Sequence, residues 1–219
     1  MLRLLLLLLM IPATARAQAQ PEPASQIEAL ITEAEARELH LEPGWLKLIH
    51  YRETLVGWKS DADGTDFFLA DRGRVDPHAE LEATLRGFAR LPTEEELRGN
   101  VERVNEEGTL PPLPHPVCRF PARLYWLSTQ LELTPEHLAV QSCPKFSEYL
   151  TLMEPTGASL VFSSYHLENP ASTFGHTLIR VHRRSDASGT ARPALIDHGV
   201  NFGAVVGDEK GLRYIVKGL

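Results

Sequence analysis

The hydrophobic period of this 219-residue chain changes once, close to residue 150. Before that point apolar residues recur every three to four positions, as they do on one face of an α-helix. From Ser159 onward the apolar segments are short, rich in β-branched residues, partly alternating and separated by turn residues, which is typical of strands. The pattern predicts an α+β fold, with a mainly helical region over residues 25–150 and a small antiparallel sheet over residues 151–219.

Capping residues and prolines mark the ends of the predicted helices. Thr93 with Glu96 three residues later forms a capping box. Thr134 before Pro135 places a good N-cap ahead of the proline that suits a first helical position. The predicted helices cover residues 25–40, a stretch that begins at Asp76-Pro77, and residues 94–106, 121–131 and 135–142.

Residues 1–17 have the three parts of a secretory signal peptide: a basic start, an apolar run over residues 4–11 and a small-x-small cleavage pattern at 15–17. The apolar run is far shorter than the ~20 residues that a membrane-spanning helix needs. We therefore expect cleavage after residue 17, a short linker over residues 18–24, and a location in the periplasm.

The charge of the chain argues against some classes of partner. The sequence has 22 basic and 29 acidic residues, and loss of Arg3 and Arg16 with the signal peptide changes the net charge from −7 to −9. Binding to phosphates requires clustered Lys and Arg. We therefore expect no nucleic-acid partner, and the charge gives no help in binding an anionic membrane surface.

Two cysteines, Cys118 and Cys143, would lie in an oxidising compartment. The first interpretation is a disulfide that closes a loop of about 25 residues and stabilises the fold by about 3 kcal/mol. The alternative interpretation is that Cys143 is a nucleophile. Pro144 suits the first turn of a helix, so Cys143 would lie at a helix N-terminus, where the pKa of a thiol is lowered. The even number of cysteines and the secreted context favour the disulfide.

The strongest candidate site lies in residues 163–184, SSYHLENPASTFGHTLIRVHRR. His176 follows a turn-rich segment and begins an alternating apolar one. It is either a polar residue that satisfies backbone groups at a strand start, or a general base with a near-neutral pKa. Gly175 would allow a reactant to approach the backbone closely. Ser172 is the nearest candidate nucleophile, but it lacks the G-x-S-x-G elbow that exposes a hydrolase serine.

A metal site is the third interpretation of this region. Zinc needs three or four ligands that converge on one point. His176 and His182 would share a strand face but lie about 20 Å apart at ~3.3 Å per residue. No spacing fits a recognised ligand pattern, so we expect neither a metal nor a cofactor. The potential ligands considered are His166, His176, His182, His198 and Asp197.

Longer blocks of this sequence resemble a known family. ENPASTFGHTLIRV (168–181) closely resembles the signature of the bacterial Lnb-type N-terminal periplasmic domain, N-P-x-S-x-F-G-H-T followed by an apolar strand. CRFPARLYWL (118–127) is similar to the family's C-x-x-P-A-R-x-x-W-L block. DFFLADRGRVDPHAELEATL (66–85) and VNFGA (200–204) are similar to two further blocks. The resemblance covers nearly all of the chain after the signal peptide, in matching order.

This resemblance implies an envelope enzyme, because the family's namesakes are lipoprotein N-acyltransferases. It also implies a permuted papain-type core like that of NlpC/P60 proteins, in which a histidine precedes the nucleophilic cysteine along the chain. The nucleophile would belong to a downstream Asn-Cys pair, which this sequence lacks, so we expect a C-terminally truncated fragment in which Cys118 and Cys143 are a structural disulfide. The implied catalytic base is His176, and the candidate supporting residues are Asn169, Ser172, Asp197 and Asn201, with Asp197 or Asn201 to orient the imidazole.

The partners implied by this resemblance are the acyl groups of lipoproteins or phospholipids. Any membrane association would then come from the region that the chain lacks. Two other functions stay open at this point. One is an envelope thiol or serine hydrolase, such as an amidase or peptidase on the same core. The other is a non-catalytic binding domain of the cell envelope.

Overall fold

A computed structural model of the chain describes residues 23–62, 64–103, 109–163, 176–183 and 198–201. The chain divides into two compact units, residues 1–143 and 144–219. The first unit contains α1 (Pro23–Ala36), α2 (Pro43–Leu48), β1 (Tyr51–Thr54), β2 (Gly57–Ser60), α3 (Pro77–Ala89), α4 (Glu94–Gly99), α5 (Pro116–Arg119) and α6 (Pro121–Gln130). The second contains α7 (Pro144–Met153), β3 (Pro155–Ser163), β4 (His176–Arg183) and β5 (His198–Asn201). The predicted α+β class is confirmed.

Helix α3 is the central element of the first unit, and its sequence explains its start. The side chain of Asp76 accepts a hydrogen bond from the backbone N–H of Ala79 at 3.0 Å, and proline follows the cap. Leu81, Leu85 and Phe88 form a fully buried stripe along the helix. This stripe belongs to the same apolar core as the buried face of α1, which packs against α3. The helix predicted to begin at Asp76-Pro77 is therefore confirmed.

A buried ion pair connects α3 to α6. The guanidinium of Arg123 donates to the Glu80 carboxylate at 2.6 Å and to the backbone oxygen of Phe67 at 2.5 Å. Glu80 also accepts hydrogen bonds from the backbone N–H groups of Leu69 and Ala70, at 2.9–3.0 Å. Arg123 and Glu80 are 3% and 0% exposed, so this network fixes the segment between β2 and α3 onto the helices.

The disulfide is confirmed: Cys118 in α5 is bonded to Cys143, with 5.2 Å between the Cα atoms. No thiol is therefore free at Cys143, and the structure does not support its alternative role as a nucleophile. Among the described residues, no helix is both long enough and apolar enough to cross a membrane.

Several local predictions need correction. The antiparallel hairpin of β1 and β2 lies in a region that we expected to be mainly helical. Helix α1 ends at Ala36 and a 3-10 turn follows it, whereas helix was predicted to residue 40. Helix α4 keeps its predicted capping box but ends at Gly99.

The helix predicted over residues 135–142 is also wrong, since only the 3-10 turn Pro135–His137 forms. The backbone N–H of Ala139 donates to the Phe88 oxygen of α3 at 2.9 Å instead of continuing a helix. The side-chain amide of Gln141 donates to the Pro135 and Leu138 oxygens, at 2.6 and 2.8 Å. Tertiary and side-chain hydrogen bonds therefore replace the helical ones.

The sheet of the second unit has the order β3-β4-β5, and both pairings are antiparallel, as predicted. Residues that pair across antiparallel strands share a face of the sheet, and neighbours along a strand alternate between faces. The register Leu160↔Ile179↔Val200 therefore defines an apolar face. The other face contains the positions paired as Ser159↔Arg180 and Ser163↔His176.

Candidate functional site

His176 is the first residue of β4, and it pairs with Ser163 at the end of β3. The predicted position at a strand start is therefore found in the structure. Asn169, Ser172 and Asp197 lie outside the described residues, so their predicted roles stay predictions.

The register brings one predicted supporting residue close to His176. Asn201 of β5 pairs with Leu178, which lies two residues after His176 along β4. His176 and Asn201 therefore occupy the same face of the sheet, at diagonal positions on neighbouring strands. Backbone positions in this diagonal relation lie about 7–8 Å apart in antiparallel sheets.

The opposite end of the same face contains a Ser–His contact that was not predicted from the sequence. Ser159 Oγ lies 2.5 Å from Nε2 of His182, and both residues are partly buried. Thr156 Oγ1 donates to the backbone oxygen of His182 at 3.2 Å. A hydroxyl bonded to an imidazole nitrogen is the arrangement in which a histidine can remove the proton of a serine nucleophile. No spacing signal could reveal this pair, because it depends on the register of two strands.

His176 and His182 belong to one continuous strand. At ~3.3 Å per residue they are separated by about 20 Å, as predicted from the sequence, and cannot bind one ion together. Each histidine therefore defines a separate candidate site, one with Asn201 and one with Ser159.

The apolar face of the sheet is unusually exposed. Leu160 and Phe162 of β3 are 75% and 63% exposed, and Ile179 and Val200 are 44% and 47% exposed. This face lies opposite to the face of His176 and Ser159, so it does not line either candidate site.

Two buried polar groups of the first unit are structural. Burial lowers the pKa of Arg123, and the guanidinium is surrounded by protein partners rather than by a cleft. His115 is fully buried, with Nε2 at 3.0 Å from the Arg90 oxygen and Nδ1 accepting from the Val117 N–H at 3.4 Å. Burial lowers the pKa of His115 as well, which fits a neutral imidazole that satisfies backbone groups.

Two family models match parts of the chain. Residues 37–98 match a domain of unknown function, DUF7843, and residues 145–219 match the Lnb N-terminal periplasmic domain. No curated protein and no solved structure matches the chain. The second match confirms the family resemblance of the region that contains both candidate sites. Together with the disulfide, it indicates a protein of the cell envelope that lies outside the cytoplasm.

Proposed function

Because residues 145–219 match the Lnb N-terminal periplasmic domain, we propose that this protein takes part in acyl transfer to lipoproteins, with His176 as the general base. The observation that carries the proposal is the register that places His176 and Asn201 on one face of neighbouring strands, inside the matched region. We further propose that this sheet is part of a permuted papain-like core.

The proposed reaction passes through a thioester. The imidazole of His176 removes the proton of a cysteine thiol, and the thiolate attacks the carbonyl carbon of an acyl ester. The ester C–O bond breaks, and the imidazolium returns the proton to the departing alcohol. The amino terminus of the lipoprotein then attacks the thioester, the C–S bond breaks, and the proton lost by the amine restores the thiol through His176.

Asn201 is the proposed orienting residue. Its amide oxygen can accept a hydrogen bond from the N–H of the imidazole and so hold the other ring nitrogen toward the thiol. Asp197 is the alternative for the same role. Both cysteines of this chain are in the disulfide, so the reaction requires a thiol from outside these 219 residues.

The test compares two histidines of the same strand in living cells. A strain without the gene would express the complete protein either unchanged, as His176→Ala, or as the matched control His182→Ala. We expect mass spectrometry of lipoprotein N-termini to show loss of the N-acyl chain only with His176→Ala. Protease resistance of each variant in the periplasmic extract would show that it is folded. Full N-acylation with a folded His176→Ala variant would contradict the proposal.

A second candidate function is a serine hydrolase of the cell envelope, and the 2.5 Å contact between Ser159 and His182 favours it. In this case Ser159 would attack an ester or amide and His182 would take its proton. A fluorophosphonate probe should then label the protein at Ser159, and neither Ser159→Ala nor His182→Ala should react. No labelling of the unchanged protein would reject this candidate. Rejection of both candidates would favour a binding domain without catalysis.

A further inference from the structure

We propose that Glu35, His78 and Glu82 of the first unit form a binding site for a divalent transition-metal ion, with Zn²⁺ as the best fit. Glu35 lies near the end of α1, and His78 and Glu82 lie on α3, which packs against α1. The site is independent of the acyl-transfer proposal, which concerns the second unit.

The geometry is close to that of a zinc site. One nitrogen or oxygen atom from each of the three side chains lies within 4.8 Å of the others. The Nε2 atom of His78 and Oε1 of Glu35 are 3.4 Å apart. Tetrahedral zinc with bonds of about 2.1 Å holds neighbouring ligand atoms about 3.4 Å apart. His78 and Glu35 therefore already have the separation that tetrahedral zinc requires, and Glu82 offers a ligand atom within 4.8 Å of both.

The spacing on α3 supports the same conclusion. His78 and Glu82 are four residues apart, which places them as neighbours on one face of the helix. Glu82 also accepts a hydrogen bond from Arg86 at 3.1 Å. A carboxylate has two oxygen atoms, so Glu82 can keep Arg86 on one oxygen and bind an ion with the other.

Charge and access also suit a cation. The side chains of His78 and Glu35 are 42% and 43% exposed, so water can complete the coordination. Two carboxylates would balance the charge of a divalent ion. The ring of His40 lies 5.0 Å from that of His78, edge to face.

The competing explanation is an ordinary surface pair, in which a protonated His78 contacts Glu35 and no metal binds. Pairs of this kind contribute little to stability. The two explanations predict different results with Zn²⁺. A metal site binds one Zn²⁺ ion per chain, and its affinity depends on Glu82 as well as on His78 and Glu35. A surface pair of His78 and Glu35 does neither.

The experiment is calorimetric titration of the complete secreted chain with ZnCl₂ after treatment with a chelator. We expect one strong site per chain in the unchanged protein. His78→Ala and Glu35→Gln should each weaken it at least about tenfold, and Glu82→Gln should do the same. Glu28→Gln is the matched control, because Glu28 contacts Arg86 at 3.0 Å, as Glu82 does at 3.1 Å, but is not in the cluster. Its affinity for Zn²⁺ should not change.

A second measurement tests the site without relying on a single variant. Zn²⁺ should raise the melting temperature of the unchanged protein and of Glu28→Gln, but not that of Glu35→Gln, because a ligand that binds only the folded state stabilises it. Circular dichroism would show that each variant is folded. Equal Zn²⁺ affinity in the unchanged protein and His78→Ala would overturn the proposal, as would no binding at about 1 mM.

Discussion

The buried pair of Arg123 and Glu80 makes the sharpest prediction about stability. Arg123→Met removes the bond at 2.6 Å and leaves the Glu80 carboxylate, which is 0% exposed, with the backbone N–H groups of Leu69 and Ala70 as its partners among the described residues. Removing one partner of a buried ion pair costs about 3–5 kcal/mol. Domains of this size have a free energy of unfolding of about 5–15 kcal/mol. The variant should therefore lose at least a fifth of its stability.

Urea unfolding followed by tryptophan fluorescence is the suitable assay, because all three tryptophans, at positions 45, 58 and 126, belong to the first unit. With an m-value of about 2 kcal/mol/M, a loss of 4 kcal/mol lowers the urea midpoint by about 2 M.

A second substitution tests the cause of this loss. Glu80→Gln should destabilise the unchanged protein, because it leaves the Arg123 cation without its counter-charge. In the Arg123→Met background the same change should stabilise, because it removes an unpaired buried charge while the amide oxygen still accepts from the backbone of residues 69 and 70. If the two effects simply add, the account of a charge-dependent network is wrong.

Two further predictions concern the disulfide and an acidic helix start. Reduction of the bond between Cys118 and Cys143, or replacement of both by Ala, should lower the free energy of unfolding by about 3 kcal/mol. Equal urea midpoints with and without the disulfide would show that closing this loop does not stabilise the fold. The pKa of Glu96 is lowered to about 2, first by the hydrogen bond from Arg90, against the opposing effect of burial, and then by the backbone N–H of Thr93. The stabilisation of the fold by the ionised Glu96 carboxylate is therefore complete above about pH 4.5 and is lost as the pH falls toward 2. Glu96→Gln should lower the free energy of unfolding by about 1 kcal/mol at pH 7, and by less at pH 3. If the urea midpoints of the unchanged protein and the variant differ by the same amount at both pH values, this account of Glu96 is wrong.

Local signals in the sequence predicted those elements whose ends are fixed by their own residues. Asp76 caps α3 and Thr93 with Glu96 caps α4, as the sequence indicates, because these contacts join residues three positions apart. The alternating segment after His176 likewise forms a strand.

Two features were not predicted from the sequence: a hairpin whose turn has no turn signal, and a contact between residues far apart along the chain. The turn of the β1–β2 hairpin consists of Leu55 and Val56, which are 106% and 97% exposed and carry no turn signal. Only the following Gly57, with φ +116°, marks the reversal. The contact between Ser159 and His182 spans 23 residues. Neither pattern nor propensity reports such a pairing before the strand register is known.

The position of Cys143 has a consequence for the order in which the protein matures. It is the last residue of the first unit, and Pro144 begins the next one. A chain that crosses a membrane from its N-terminus delivers Cys143 to the oxidising side before any residue of α7 or of the sheet. The disulfide of the first unit can therefore form while the second unit is still in transit, and the antiparallel strands of the second unit can pair afterwards. A cut in the chain between the two cysteines would also leave both fragments joined until the bond is reduced.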